Sequence, residues 1–314
     1  MVDSKSSSAA NVVVLGSVNM DLVARCISLP IPGETVSGSD FAEIPGGKGA
    51  NQAVAARRAG AQVHLVGRLG VDAFASKLRQ SLGEENVDCS LLAETAEVSS
   101  GLAMIAVEDS GENQIVVVPG ANGCVNKKDV LAAKDRIAQA DVLLLQLEVP
   151  AKTVAFAIAV AKEVGTRVIL DPAPAPNSPD AALFDVDLLC PNLAEAIALT
   201  GMQVEADAQI EQLAVQLAKM GAAAVAITLG AKGTALYHAG EFSLVEPFPT
   251  KAVDTTAAGD AFAGALAVKW AETGNLHEAV RFGNAAGALA AARIGAQPGM
   301  PSRLDIDEKI RTSD

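Results

Sequence analysis

Short apolar runs rich in Val, Ile and Leu alternate with longer segments of helical periodicity along most of the chain. Residues 11–17 (NVVVLGS) form a β-branched run closed by glycine, which predicts a buried strand. A less regular stretch follows to Pro45, punctuated by Pro30, Pro32 and Gly33. The pattern then predicts a helix over 48–59, with Gly60 where a C-cap residue is expected, and a strand over 62–66. Downstream it predicts helices near 72–82, 127–139, 151–164, 193–199 and 208–220, and strands near 101–107, 114–118, 142–147, 167–170, 186–189 and 224–228. A hairpin (233–237, then 241–245) and three helices starting near Ala258, Leu276 and Leu304 complete the chain. Strands alternating with helices of this length predict a doubly wound α/β fold, a mostly parallel sheet with helices on both faces.

Two segments break this rhythm. Residues 34–44 and 101–118 resemble consecutive strands without an intervening helix, and EDSGEN (108–113) is a hairpin-turn sequence. They are expected to combine as a small β-sheet lid, made from about 20–44 and 99–118, projecting from the main body. Residues 1–10 are Ser-rich and predict a disordered tail, leaving 11–314 as one domain without an internal linker or repeat.

Composition narrows the function. With 24 Lys plus Arg against 37 Asp plus Glu, the net charge is −13, which disfavours binding to nucleic acid or to an anionic membrane through a basic surface. Aromatic residues are only 3% of the chain, so the core must be aliphatic and base-stacking platforms are not expected. No stretch approaches the roughly 18 uninterrupted apolar residues of a membrane span. Four dispersed cysteines without CxxC and three histidines without ligand spacing argue against zinc sites and disulfide frameworks, and fit a reducing, cytoplasmic setting.

Glycines concentrate at Gly16, 46–49, 230–233, Gly259 and 295–299. There is no GxGxxG after the first strand, and PGGKGA lacks the elements of a Walker loop. Phosphate-binding physics remains at Ala257, Ala258 and Gly259, which precede an apolar helix; their amides are expected to be unpaired helix-start donors that an anion can approach. Asp260 follows in the first turn. It can complement the helix dipole, or it can remove a proton from a hydroxyl while the adjacent amides hold a phosphate.

The motif DTTAAGDAFAGAL (254–266) resembles the C-terminal signature of the ribokinase family of carbohydrate kinases, and GGKGANQAVAA (46–56) resembles its N-terminal signature. The resemblance runs from about Val12 to Arg303. It implies ATP-dependent phosphorylation of D-ribose at O5, with Asp260 as catalytic base and Ala257, Ala258 and Gly259 as the anion hole. It implies a sugar pocket of Asn19, Asp21, Gly47, Lys48, Asn51 and Glu148. Asn192 and Glu195 of PNLAE would help place Mg²⁺ and phosphate, although Asn with Glu three residues on is also a plain helix-capping pattern. Thr228, Gly230, Gly233 and Asn284 would line the nucleotide site. Asn284 alone, in an Ala/Gly-rich helix, reads as an interhelix hydrogen-bonding residue.

The family resemblance further implies a K⁺ site at Asp254, Thr256, Ala290, Arg293, Gly295 and Gly299, with Gly299 standing where relatives often carry serine. It implies a homodimer through the lid. Another sugar kinase of the family, fructokinase- or deoxyribokinase-like, or a nucleoside kinase is the nearest alternative; Lys48, the Asn19/Asp21 pair and a lid expected to be polar, with Phe41 its only aromatic, argue against it. A non-catalytic sugar-binding protein is disfavoured by the presence of Gly259 and Asp260.

Overall fold

The computed structural model describes residues 9–108 and 110–313. Of the tail expected over 1–10, all but Ala9 and Ala10 lies outside the described residues, as does Asp109 of the expected lid turn. The chain runs β1 (Asn11–Leu15), β2 (Asn19–Cys26), β3 (Gly38–Gly46), α1 (Lys48–Arg58), β4 (Gln62–Gly70), α2 (Ala73–Glu84), β5 (Leu92–Thr95), β6 (Gly101–Glu108) and β7 (Asn113–Val118). It continues through α3 (Lys127–Ala132), α4 (Lys134–Gln139), β8 (Val142–Leu145), α5 (Ala151–Val164), β9 (Arg167–Leu170), β10 (Leu188–Leu189), α6 (Leu193–Thr200) and α7 (Ile210–Lys219). The last elements are β11 (Ala224–Thr228), β12 (Thr234–His238), β13 (Glu241–Val245), α8 (Ala258–Thr273), α9 (Leu276–Ala291), α10 (Ala296–Gly299) and α11 (Arg303–Arg311).

Nine strands form the central sheet in the order β13-β12-β11-β10-β9-β8-β1-β4-β5, parallel except where β12 pairs with β11 and β13. The period of two along β1 divides the core. Val12 and Val14 join the cluster that includes Val54 of α1, Leu266 of α8 and Phe282 of α9. Val13 and Leu15 join the opposite cluster, with Ile158 of α5 and Leu217 of α7. Strand order reverses between β1, which continues to β4, and β8, which continues to β9, so the crevice beyond their carboxyl ends is the topological switch point where ligands bind in open α/β sheets.

The two irregular segments form a separate four-stranded sheet, β3-β2-β6-β7. Strand β2 was not foreseen, because its polar Asp21 and Arg25 obscure a strand that is stabilised by pairing on both edges, with β3 and β6. The lid is also less polar than expected. Phe41, Met104, Ile115, Val116 and Val117 are all exposed, since neither face of this sheet is covered by the core along its whole length.

Other departures are local. The expected helix over 127–139 is two helices, broken at Ala133 so that Val130, Ala133 and Ile137 all face the core. The edge strand β5 and the short α10 lack a periodicity long enough to reveal them. Strand β10 keeps only two of four expected residues, because the Asp187 carboxylate accepts from Val168 N at 2.7 Å where a ladder bond would continue.

Candidate active site

The site forms where β1 and β8 end. Beyond β1 the chain turns through Gly16, Ser17 and Val18 into lid strand β2, which carries Asn19 and Asp21. Asn19 is buried and its Oδ1 accepts from Asn122 Nδ2 at 2.7 Å. Asn122 in turn clamps Val18, accepting from its N–H at 2.9 Å and donating to its carbonyl at 3.2 Å, so it fixes where the lid leaves the body. Gly47 precedes α1 with φ of +89°, and a Cβ there would stand 2.7 Å from Asn19 N; only glycine permits this approach. Beyond β8, Glu148 Oε2 accepts from Ser17 Oγ at 2.5 Å and from Lys48 N at 3.1 Å, joining the two strand ends to the start of α1.

Asp260 lies in the first turn of α8 and is 5% exposed. Its Oδ2 accepts from Asn51 Nδ2 and its Oδ1 from Gln52 Nε2, both at 3.0 Å. Gln52 Nε2 also donates to Asp171 Oδ2 at 2.7 Å. Burial raises the Asp260 carboxyl above its ordinary range, with the Glu148 charge adding to the rise; the Lys48 ammonium and the two amide donors oppose it. Burial likewise lifts Asp171 to about 8, against the pull of Lys48. Asp21 rises to about 7 through burial and the charges of Glu148 and Asp260. At Lys48 burial favours the neutral amine, but Asp260, Asp171, Glu148 and Glu195 together outweigh it and hold the ammonium charged.

Helix α8 starts from Ala257 in the left-handed conformation, with φ of 59° and ψ of 14°, and no side chain caps it. The three amides expected to be free are not equivalent. Ala258 N donates to Thr255 O at 3.2 Å, because the left-handed residue at 257 closes a tight turn over 255–258. That correction leaves Ala257 and Gly259, with Asp260 itself, as the expected anion-facing donors. A cavity of about 300 Å³ adjoins this helix start and is lined by Ala258, Gly259, Thr228, Gly230, Gly233 and Asn284, with Phe248 and Phe262 as apolar walls.

Asn284 is a wall of that cavity and a structural pin at once: its amide donates to Val245 O and Glu246 O, and it accepts from Thr234 Oγ1 at 2.6 Å. Asn192 and Glu195 form a reciprocal capping box on α6, and Asn192 bridges to Thr228 beside the cavity without lining it. On the far side, Asp254 accepts from Thr256 N at 2.9 Å and Gly295 N at 2.8 Å. The carbonyls of Ala290 and Arg293 stand 3.6 and 3.7 Å from the point a Gly299 Cβ would occupy, so these expected cation residues converge.

Sequence reasoning passed over Ser17, Gln52, Asn122, Gln146 and Asp171. Gln52 lies inside GGKGANQAVAA, and Asp171 follows β9 directly, where a carboxylate at a parallel-strand end is a signal of a site. Asn122 carries no such signal, since only the fold brings it to Asn19.

The sequence profile of the pfkB family carbohydrate kinases matches residues 9–303. The chain belongs to this family. Ribokinase of Haemophilus influenzae is 40% identical over 299 residues, spanning 94% of this chain and 96% of that protein. Ribokinase of Schizosaccharomyces pombe is 40% identical over 309 residues, spanning 95% and 96%. Among solved structures, Arabidopsis thaliana ribokinase complexed with ribose and ATP matches with a TM-score of 0.89 at 33% identity, over 97% of this chain and 99% of that one.

Proposed function

We propose that this chain is a ribokinase, transferring the γ-phosphoryl group of ATP to O5 of D-ribose to give D-ribose 5-phosphate and ADP. The observation that carries the reading is the setting of Asp260: a buried carboxylate held by two amides, at an uncapped helix start, between a polar cleft and a largely apolar cavity. A polyol needs convergent donors and acceptors, and Asn19, Asp21, Lys48, Asn51 and Glu148 supply them around Gly47. The cavity takes the adenine, with Thr228, Gly230, Gly233 and Asn284 along its wall.

Asp260 takes the proton from O5 as that oxygen attacks. Its raised pKa suits a base that must accept a proton near neutral pH. The amides at the start of α8 meet the charge on the transferring phosphoryl oxygens, and the dipole of a 16-residue helix adds to them. Phosphoryl transfer asks for positioning and charge stabilisation more than for covalent chemistry, and a fixed base with fixed amides provides both.

Mg²⁺ would sit with the ATP phosphates near Asn192 and Glu195, whose charge also contributes to the field at Lys48 and Asp171. Bound there with ATP, it would neutralise phosphate charge. K⁺ fits the converging carbonyls of Ala290 and Arg293 near Gly299, in the loops that Asp254, Thr256 and Gly295 tie together. Residues 11–314 act as one kinase domain in which segments 20–44 and 99–118 close over the sugar and exclude water. A second copy of the chain covers the lid face that carries Asp21, because Ile115 and Val117 on that face are otherwise half exposed. Among the described residues no helix is long and apolar enough to cross a membrane; the reaction is a cytoplasmic one.

A coupled assay of ADP release across ribose, deoxyribose, fructose and adenosine tests the reading. Ribose should give the highest kcat/KM; a preference for adenosine or fructose would reassign the substrate within the family.

A further inference from the structure

Gln52 and Gln146 are both fully buried, and they form a directed chain that ends on the catalytic carboxylate. The Gln52 amide nitrogen gives one hydrogen to Asp171 Oδ2 at 2.7 Å and the other to Asp260 Oδ1 at 3.0 Å. Turning this amide over would set its carbonyl against the Asp260 carboxylate oxygen to which it now donates. Gln52 Oε1 therefore faces away and accepts from Gln146 Nε2 at 2.5 Å. The orientation of Gln146 is then forced as well, since the opposite one would oppose two carbonyl oxygens at that distance.

The chain of constraint stops at Gln146 Oε1, which is buried and has no hydrogen-bond partner among the described residues. A Cβ at Gly16 would lie 2.0 Å from that oxygen, so glycine at 16 is what gives it room. A buried carbonyl left unpaired is destabilising, and side chains placed only to fill the core would not retain it.

We infer that Gln146 and Gln52 are positioning residues, a two-amide relay that fixes the orientation of the Asp260 carboxylate and ties it to Asp171. The inference rests on Asp260 being the base. It separates from a packing role by stability. Gln146→Met keeps the volume and exchanges one unpaired buried carbonyl, Gln146 Oε1, for another, Gln52 Oε1, while removing the donor that holds the far end of the Gln52 amide.

The test is single-turnover phosphorylation of ribose by Gln146→Met across pH, with thermal unfolding and KM measured alongside. The relay requires a rate at least tenfold lower, KM for ribose and ATP within twofold, a melting temperature within a few degrees, and an acid limb displaced to higher pH as the Gln52 bond to Asp260 slackens. A native rate with an unmoved acid limb overturns it. Gln52→Met, which removes both donors, gives the same reading if Gln146→Met does not fold: slowing with a displaced limb supports the relay, and native behaviour overturns it. Asp260→Asn is run in parallel. Near-native turnover in that variant overturns the base assignment and the relay together, whereas an inactive Asp260→Asn beside a native-like Gln146→Met overturns the relay alone.

Discussion

Asn51 and Asp260, 209 residues apart in the chain, meet in a buried hydrogen bond of 3.0 Å from Nδ2 to Oδ2. The other end of the same amide, Asn51 Oδ1, accepts from Gln297 Nε2 at 3.3 Å, and Gln297 belongs to α10 between Gly295 and Gly299. Arg58 of α1 donates to the carbonyls of Gln297 and Met300 at 3.0 and 2.7 Å. The helix bearing Asn51, the proposed cation loop and the proposed base are thus one hydrogen-bonded unit.

Replacing Asp260 by Asn keeps the side-chain volume, exchanges one of its two accepted hydrogen bonds for an NH2 facing a donor, and removes the proton acceptor. Turnover should fall by on the order of a thousandfold or more, within the range expected when a positioned general base is lost. Ribose affinity, measured by calorimetry, should stay within a few-fold, because the cleft residues on β2, α1 and after β8 are untouched. Near-normal turnover would remove Asp260 from the base role.

The raised carboxyls make a prediction about pH. Asp21 at about 7 and Asp171 at about 8 stand above the ordinary 3.8, and Asp260 is raised as well, in each case chiefly by burial. Groups that hold a proton more tightly when folded contribute stability that is full below about 4 and is lost as pH rises through 7 and 8. Asp72, Asp88, Asp254 and Asp305 are shifted the other way by backbone and side-chain hydrogen bonds, and their contribution is lost only in acid. The ligand-free protein should therefore melt on the order of 5 °C lower at pH 8.5 than at pH 5.5, with Asp21→Asn flattening that slope. A melting temperature that rises over this interval would contradict the burial of these carboxyls.

Much of this arrangement was legible in the chain. The short apolar runs at β1, β8, β9 and β11 read as buried parallel strands, and helix α5 follows its apolar periodicity residue for residue. The two motifs that resemble the family signatures drew attention to Asp260, Asn51 and the glycines around them. What stayed hidden depends on tertiary contact. Asn122 reaches Asn19 only after the lid has folded, and Gln52 looked like one more residue in a small-residue helix until Asp171 and Asp260 bracketed it. Strand β2 has no buried stripe to announce it, because its partners are the other lid strands.

The lid face bearing Asp21 predicts the oligomeric state. Across the strands Asp21 opposes Ala103, which opposes Val117, while Val23 opposes Ile105, which opposes Ile115, so these side chains share one face. Ile115 and Val117 are 53% and 51% exposed on strand β7, whose outer edge is unpaired in the sheet. Sedimentation at micromolar concentration should show a dimer for the native chain and a monomer for Ile115→Glu with Val117→Glu. The same double variant should raise the KM for ribose several-fold, since an unsupported lid closes less well. A native chain that sediments as a monomer would refute lid pairing.

Gly299 offers a gain-of-function test of the proposed K⁺ site. Its φ lies outside the left-handed region, and a Cβ there would make ordinary contacts of 3.5–3.7 Å with Arg293 Cβ, Ala290 O and Arg293 O, so a larger residue fits without strain. Serine at 299 would add a hydroxyl oxygen among carbonyls that already converge, which should strengthen binding of a cation held by oxygen ligands. Gly299→Ser should lower the K⁺ concentration for half-maximal activity several-fold and leave maximal kcat within about twofold, and a K⁺-dependent rise in melting temperature should appear at lower K⁺ than in the native chain. Because Gln297 joins this loop to Asn51 and so to Asp260, withdrawing K⁺ should reduce kcat more than it raises the KM for ribose. Equal activity and equal melting temperature in K⁺ and K⁺-free buffer, for both proteins, would show that no functional cation binds there.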